Sequence, residues 1–174
     1  NFIIGIGGSA TNDAGLGMLQ ALGFRFLNKE GKILETGNGK ILMEVVSIDT
    51  SFVHPDLRTS HFTVACDVQN PFCGPEGAAY IFAPQKGADR KMVEALDAGM
   101  KNFAEVIFHK TGKDISNHPG AGAAGGMGGS LLAFLNAKLK PGIQLMLETL
   151  DFSNKIKGAD LIITGEGKAD KQTL

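Results

Sequence analysis

The clearest pattern in the chain runs through Val93, Leu96, Met100, Phe103 and Ile107, whose alternating three- and four-residue spacing puts them on one helical face. Asp89 stands at the start of that helix as a cap, and Gly112 lies just past its end. Residues 2–6 form a short apolar run stopped by glycine, the pattern of a buried strand, and a helix is expected over residues 12–22 with Gly23 closing it. Residues 24–27 and 33–34 flank the turn-forming run Asn28-Lys29-Glu30-Gly31-Lys32 as a hairpin. Residues 40–47 predict a short helix. Residues 62–66 are β-rich and deliver Asp67 at their end, followed by a run dense in turn formers to residue 78. Further on, residues 131–135 read as a buried helix, residues 141–150 as a helix with Pro141 in its first turn, residues 151–157 as another, and residues 160–164 as a strand. Strands and helices intermix along the whole length, which predicts a mixed α/β fold.

Glycine changes this picture most. It makes up 24 of the 174 residues, close to double the usual ~7%, and it is clustered. The densest cluster is residues 119–130, where Gly120, Gly122, Gly125, Gly126, Gly128 and Gly129 run into the apolar segment that follows. So many glycines weaken an ordinary helix, so the stretch reads as a loop opening a buried helix, with N–H groups and a helix dipole that favour an anion such as phosphate. Two other loops have the same character: Gly5-Ile-Gly7-Gly8-Ser9-Ala10-Thr11-Asn12-Asp13 and Thr164-Gly165-Glu166-Gly167-Lys168-Ala169-Asp170. Three such loops point to a ligand with several phosphates.

Charge and composition exclude other classes. A formal net charge of −1 offers no basic footprint for nucleic acid, and no uninterrupted apolar segment is long enough to span a bilayer. Cys66 and Cys73, seven apart, match neither a zinc pair nor a redox motif and read as free thiols of a reducing cytosol. The ends, strand-like at residues 2–4 and directly after a glycine loop at Leu174, read as cuts within a longer ordered chain.

The individual candidates each carry a plainer alternative. Ser9, Thr11, Asn12 and Asp13 gather four polar side chains at the expected mouth of a helix, more than N-capping requires. Asp67 sits where open α/β sheets place ligands, although turn hydrogen bonding would also explain a carboxylate there. Lys86, beside Gly87, has the position of a phosphate clamp or of an ordinary solvated lysine. The histidines show no metal-ligand spacing. Gly5-x-Gly7-x-x-Ala10 matches the dinucleotide fingerprint, but the acidic residue at the right distance, Glu30, falls in a turn, so a phosphate or substrate loop is the preferred reading over a nicotinamide site.

Glycine loops and carboxylates without a His or Cys constellation fit phosphoryl transfer, in which the protein mainly positions groups and neutralises charge. None of Gly31-Lys32, Gly39-Lys40, Gly112-Lys113 and Gly167-Lys168 is followed by Ser or Thr, so no Walker A loop is present, and the protein-kinase signatures are missing.

Six ordered blocks spanning the chain resemble the type I glycerate kinase family: Gly7-Gly8-Ser9-Ala10-Thr11-Asn12-Asp13; Ala65-Cys66-Asp67-Val68-x-Asn70-Pro71; Gly74-Pro75-x-Gly77-Ala78; Pro84-Gln85-Lys86-Gly87-Ala88; Gly120-Ala121-Gly122-Ala123-Ala124-Gly125-Gly126-Met127-Gly128; and Thr164-Gly165-Glu166-Gly167-x-x-Asp170-x-Gln172-Thr173. The chain departs from the family's habit at Ala14-Gly15, often paired glycines, and at Lys168, often arginine. The resemblance implies ATP- and Mg²⁺-dependent phosphorylation of a hydroxyl of D-glycerate, in the cytoplasm. It also implies that this chain is mainly the middle domain of a longer two-domain α/β kinase, with residues 1–158 in that domain and residues 159–174 returning to the other. The resemblance supplies no residue roles; from the residue types themselves Asp67 or Asp13 is expected to orient the hydroxyl or hold metal, Glu166 and Asp170 to hold Mg²⁺, and Lys86 to hold phosphate or the glycerate carboxylate. Gly7, Gly8, Ser9, Thr11, Gly120, Gly122, Gly125, Gly126, Gly128, Gly165 and Gly167 are the expected nucleotide contacts. A nicotinamide-dependent oxidoreductase and a non-catalytic isolated domain are the alternatives; oligomeric state is not legible in the sequence.

Overall fold

A computed structural model describes residues 1–163 and Gly165. In chain order its strands and helices are β1 (Phe2–Gly5), α1 (Leu16–Ala21), β2 (Arg25–Leu27), β3 (Ser47–Asp49), β4 (Phe62–Ala65), α2 (Ala78–Phe82), α3 (Arg90–Thr111), α4 (Met127–Phe134), β5 (Lys138–Lys140), α5 (Gly142–Thr149) and α6 (Phe152–Lys155). Short 3₁₀ turns at Gly39–Met43, Pro55–Arg58 and Pro84–Lys86 join them.

Three of the strands form a parallel sheet in the order β1-β4-β5. Gly5 lies beside Ala65 and Ala65 beside Lys140, so the carboxyl ends of all three strands are level. The chain therefore leaves one sheet edge in three places: at Ile6-Gly7-Gly8-Ser9, at Cys66-Asp67 and at Pro141-Gly142. Parallel strands need long crossovers, and here the β1-to-β4 crossover holds α1 and the antiparallel pair β2–β3.

The helix α3 forms as its pattern requires. The Asp89 carboxylate accepts from Met92 N at 2.8 Å, and Gly112 ends the helix in the left-handed region at φ 74°. Its apolar face, Met100, Phe103 and Ile107, is fully buried with Phe26, Leu42 and Phe72 in one core. Burial of each such side chain contributes roughly 1.5–3 kcal/mol. A second, smaller core packs Phe62 and Val64 of β4 against Leu131 and Leu135. The chain divides into two units, Asn1–Gly142 and Ile143–Leu174, and α6 and all but the first residue of α5 lie in the second.

Several expectations are corrected. Strand β1 exists but is not buried along its length: Phe2 is 53% and Ile3 61% exposed, because β1 is an edge strand paired only to β4 among the described residues. The helix expected from residue 12 begins at Leu16, since Ala14 and Gly15 take left-handed φ values of 55° and 73°. Conversely α4 begins at Met127, so Gly128 and Gly129 are helical rather than loop. The expected helix over 40–47 is a 3₁₀ turn running into β3, and β3, not residues 33–34, is the main partner of β2. A single Leu27–Ile33 bridge remains of the predicted hairpin, its turn held by Asn28 Oδ1 accepting from the N–H groups of Glu30 and Lys32. Residues 160–163 form no strand, there being no partner strand for them among the described residues, and Thr164 lies outside these.

Candidate functional site

A cavity of about 210 Å³ opens at the level carboxyl ends of β1 and β4. Gly7, Gly8 and Ser9 reach it from β1, Asp67 from β4, and Lys86 from the 3₁₀ turn after α2. Five residues singled out from sequence are thus brought together across a separation of almost eighty positions. Topology does the work: adjacent parallel strands put their outgoing loops side by side.

Lys86 is the best-held side chain of the group. Its Nζ donates to Ser9 Oγ at 2.8 Å and to the carbonyl of Thr11 at 2.5 Å. Burial pushes its pKa below the ordinary lysine value, and the negative charge of Asp13 pulls part of the way back. A cation with two neutral oxygen partners, set against a cavity wall, attracts an anion from that cavity. Asp67 Oδ1 accepts from Gly142 N at 2.7 Å. Its second oxygen has no hydrogen-bond partner among the described residues and is available to a ligand. The turn-forming alternative for Asp67 is replaced by a long-range bond that fixes the carboxylate at the sheet edge.

Asp13 and Thr11 stand behind the cavity. The Asp13 carboxylate accepts from Gly15 N at 3.0 Å, is almost wholly buried, and acts on Lys86 through its charge. Thr11 contributes its backbone carbonyl, while its side chain is not among those lining the cavity.

The glycines of residues 119–130, expected as an anion cradle, face protein at several positions. A β-carbon at Gly122 would overlap the Pro71 carbonyl oxygen, at Gly125 that of Thr11, and at Gly128 that of Gly120. At Gly120 it would press on Leu139, and at Gly126 on Met100 and Phe72. The N–H groups of Gly122, Gly126 and Gly128 already donate to Asn70, Gly122 and Ala123 carbonyls at 3.0–3.1 Å. These glycines let backbone pack on backbone, and the stretch reaches the cavity through Ala123 and Ala124 instead. Ala124, at φ 53°, was not legible as a site residue; nor was Gln85, which also lines the cavity. Gly165 is exposed, and Glu166, Gly167 and Asp170 lie outside the described residues.

Gly5-x-Gly7-x-x-Ala10 does not open a helix, since residues 10–13 continue as loop and α1 starts at Leu16. The dinucleotide fingerprint places its pyrophosphate on a helix N-terminus directly after the glycines, so that reading is not supported. No helix among the described residues is long and apolar enough to cross a membrane.

Comparison with known proteins agrees with this geometry. The sequence profile of the Glycerate kinase family matches residues 1–174. The chain is 51% identical over 174 residues to "Glycerate kinase" of Haemophilus influenzae, covering all of this chain and 46% of that protein. It is 47% identical over 174 residues to "Glycerate 2-kinase" of Escherichia coli, covering all of this chain and 45% of the relative. The crystal structure of a putative glycerate kinase 2 from Salmonella typhimurium superposes with a TM-score of 0.90 at 46% identity, over 99% of this chain and 46% of that one. The chain thus spans less than half the length of the relatives it matches. Profile, relatives and fold agree that the chain belongs to the glycerate kinase family.

Proposed function

We propose that the whole protein transfers the γ-phosphoryl group of ATP to a hydroxyl of D-glycerate, giving phosphoglycerate and ADP, in the cytoplasm. The observation that carries this reading is the convergence of Asp67, Lys86 and the open Gly7-Gly8-Ser9 backbone on one cavity, in a chain of this family. The hydroxyl oxygen forms the new bond to phosphorus as the bond to ADP breaks. Asp67, with one oxygen unpartnered among the described residues, orients that hydroxyl and takes its proton. Lys86 neutralises anionic oxygen, and Asp13 sustains its charge; such a donor is worth roughly 10²–10³ in rate.

Mg²⁺ is the expected metal. The described residues contain no cluster of three or more His, Cys, Asp or Glu side chains able to enclose an ion. Mg²⁺ in kinases is held by one or two carboxylates together with substrate phosphates, and a single available oxygen on Asp67 fits that donor set. Asp67 would hold the ion with the phosphates only in place of its role as base, Glu166 and Asp170 being the other carboxylates assigned to the ion from sequence. When bound, Mg²⁺ supplies charge neutralisation at the phosphates.

The test is ADP formation by the whole protein, measured with and without D-glycerate. Release of ADP only when glycerate is present is expected; ADP release indifferent to it refutes the substrate. In the same assay Asp67→Asn lowers kcat more than about tenfold, with the melting temperature retained because the amide oxygen still accepts from Gly142 N. Chelation of divalent cations with EDTA stops turnover, and added Mg²⁺ restores it.

A further inference from the structure

A second, larger hollow of about 660 Å³ adjoins the cavity. It runs between the 3₁₀ turn Gly39–Met43 and α3, and Lys86 lines both spaces. We infer that this groove receives the base and sugar of the nucleotide, with Lys86 at the junction on the phosphates, and that the smaller cavity is left to the short hydroxy acid. The inference rests on ATP being the phosphoryl donor and adds which space takes which substrate.

Size separates the two first. Sites for drug-sized ligands occupy roughly 300–1,000 Å³, a range that includes the groove and leaves out the cavity of about 210 Å³. Lining chemistry separates them next. The groove floor is made of small side chains such as Ala88 and Ala95, which let a flat ring approach the backbone, and of Met43 and Met92. Those two methionines are 54% and 55% exposed, and unbranched thioethers adapt to the faces of a ring. The cavity instead presents glycine backbone, a serine hydroxyl, Asp67 and Lys86. Charge agrees: the charged side chains lining the groove are Lys40 and Lys86, both cationic, as an anion with an apolar body requires. Asn12 also lines the groove, and its buried Oδ1 has no hydrogen-bond partner among the described residues.

The experiment is calorimetric titration of ADP into the whole protein, with steady-state kinetics beside it. Ala95→Trp fills the groove and Ala95→Glu puts a negative charge in it, both at an exposed helical position; Met92→Ala is a third variant that only shortens a side chain. We expect the two Ala95 variants to raise the ADP Kd and the KM for ATP by at least about tenfold, a change of about 1.4 kcal/mol, while the KM for glycerate stays within about twofold. Met92→Ala raises the ADP Kd about threefold. Unchanged ADP binding in all three variants overturns the inference, as does a rise confined to the KM for glycerate. Wild-type protein that binds ADP through Ala95 yet does not phosphorylate glycerate refutes the proposed substrate and leaves the groove standing. Wild-type protein that binds no ADP refutes both.

Discussion

At Gly5, Gly7 and Gly8 an added β-carbon would meet nothing within 4 Å, whereas at Gly122, Gly125 and Gly128 it would overlap a backbone carbonyl oxygen. Sequence alone makes these two stretches look alike, because both replace side chains with bare backbone. The first opens that backbone to a cavity. The second presses it against protein, and part of what it presses against is the first. Ala14 N donates to the Gly125 carbonyl at 2.9 Å, Ser130 Oγ donates to the Ala14 carbonyl, and Gly125 abuts Thr11. The Thr11 carbonyl in turn receives Lys86 Nζ. The denser glycine stretch is thus a scaffold for the sparser one, and Ala14 and Ala124, held at positive φ where a non-glycine residue costs of order 1–3 kcal/mol, mark where the two interlock.

The sharpest way to break this comparison is to add one methyl group to each stretch in turn. Gly122→Ala forces the chain off the Pro71 carbonyl and should cost about 3 kcal/mol of stability, read by urea denaturation of the whole protein. A loss below about 0.5 kcal/mol would show that the dense stretch yields easily and is no scaffold. Next in size is the effect of removing the group that the scaffold holds in place. Lys86→Met keeps the side-chain stem and deletes the cation, and kcat should fall roughly 10²-fold with little change in melting temperature. Equal loss of stability in the two variants would erase the distinction between supporting and reacting residues.

Much of this was legible before any coordinates. The stripe from Val93 to Ile107 specified α3, and Asp89 and Gly112 bounded it as capping rules require. Asp67 and Gly7-Gly8-Ser9 stand after short β-rich runs, whose outgoing loops meet at one sheet edge, whereas Lys86 stood out only as a lysine beside Gly87. What escaped notice has a physical reason. Strands β3 and β5 have three residues each, too few to show a period of two above the noise of neighbouring residues. The scaffold role of residues 119–130 depends on what faces each glycine, and Pro71, Thr11 and Met100 are far away in sequence. A glycine records that something comes close; it does not record whether that is ligand or protein.

Gly7→Ala sharpens the comparison from the open side. With nothing near the new methyl group and no positive φ to strain, stability should stay within about 0.5 kcal/mol of wild type. The KM for glycerate should rise about fivefold as the methyl group enters the cavity. A stability loss matching that of Gly122→Ala would mean that this loop, too, is packed against protein.

The smallest expected effect tests whether the support beneath Lys86 has an electrostatic side. Burial lowers the Lys86 pKa below the ordinary 10.5, and Asp13 partly opposes this. In the window between the lowered native value and 10.5, the unfolded chain keeps a proton that the native protein has released. Stability contributed at this site therefore rises with pH through that window and is level below it. Lys86→Met lacks the titrating group, so the stability of wild type relative to this variant should climb on the alkaline side. Asp13→Asn removes the charge that holds the pKa up, so the climb should begin at lower pH. Urea midpoints measured across the alkaline range decide the matter. Curves for the three proteins that run parallel would mean that Lys86 is solvated like any surface lysine, and that its bonds to Ser9 Oγ and the Thr11 carbonyl do not hold it at the cavity wall in solution.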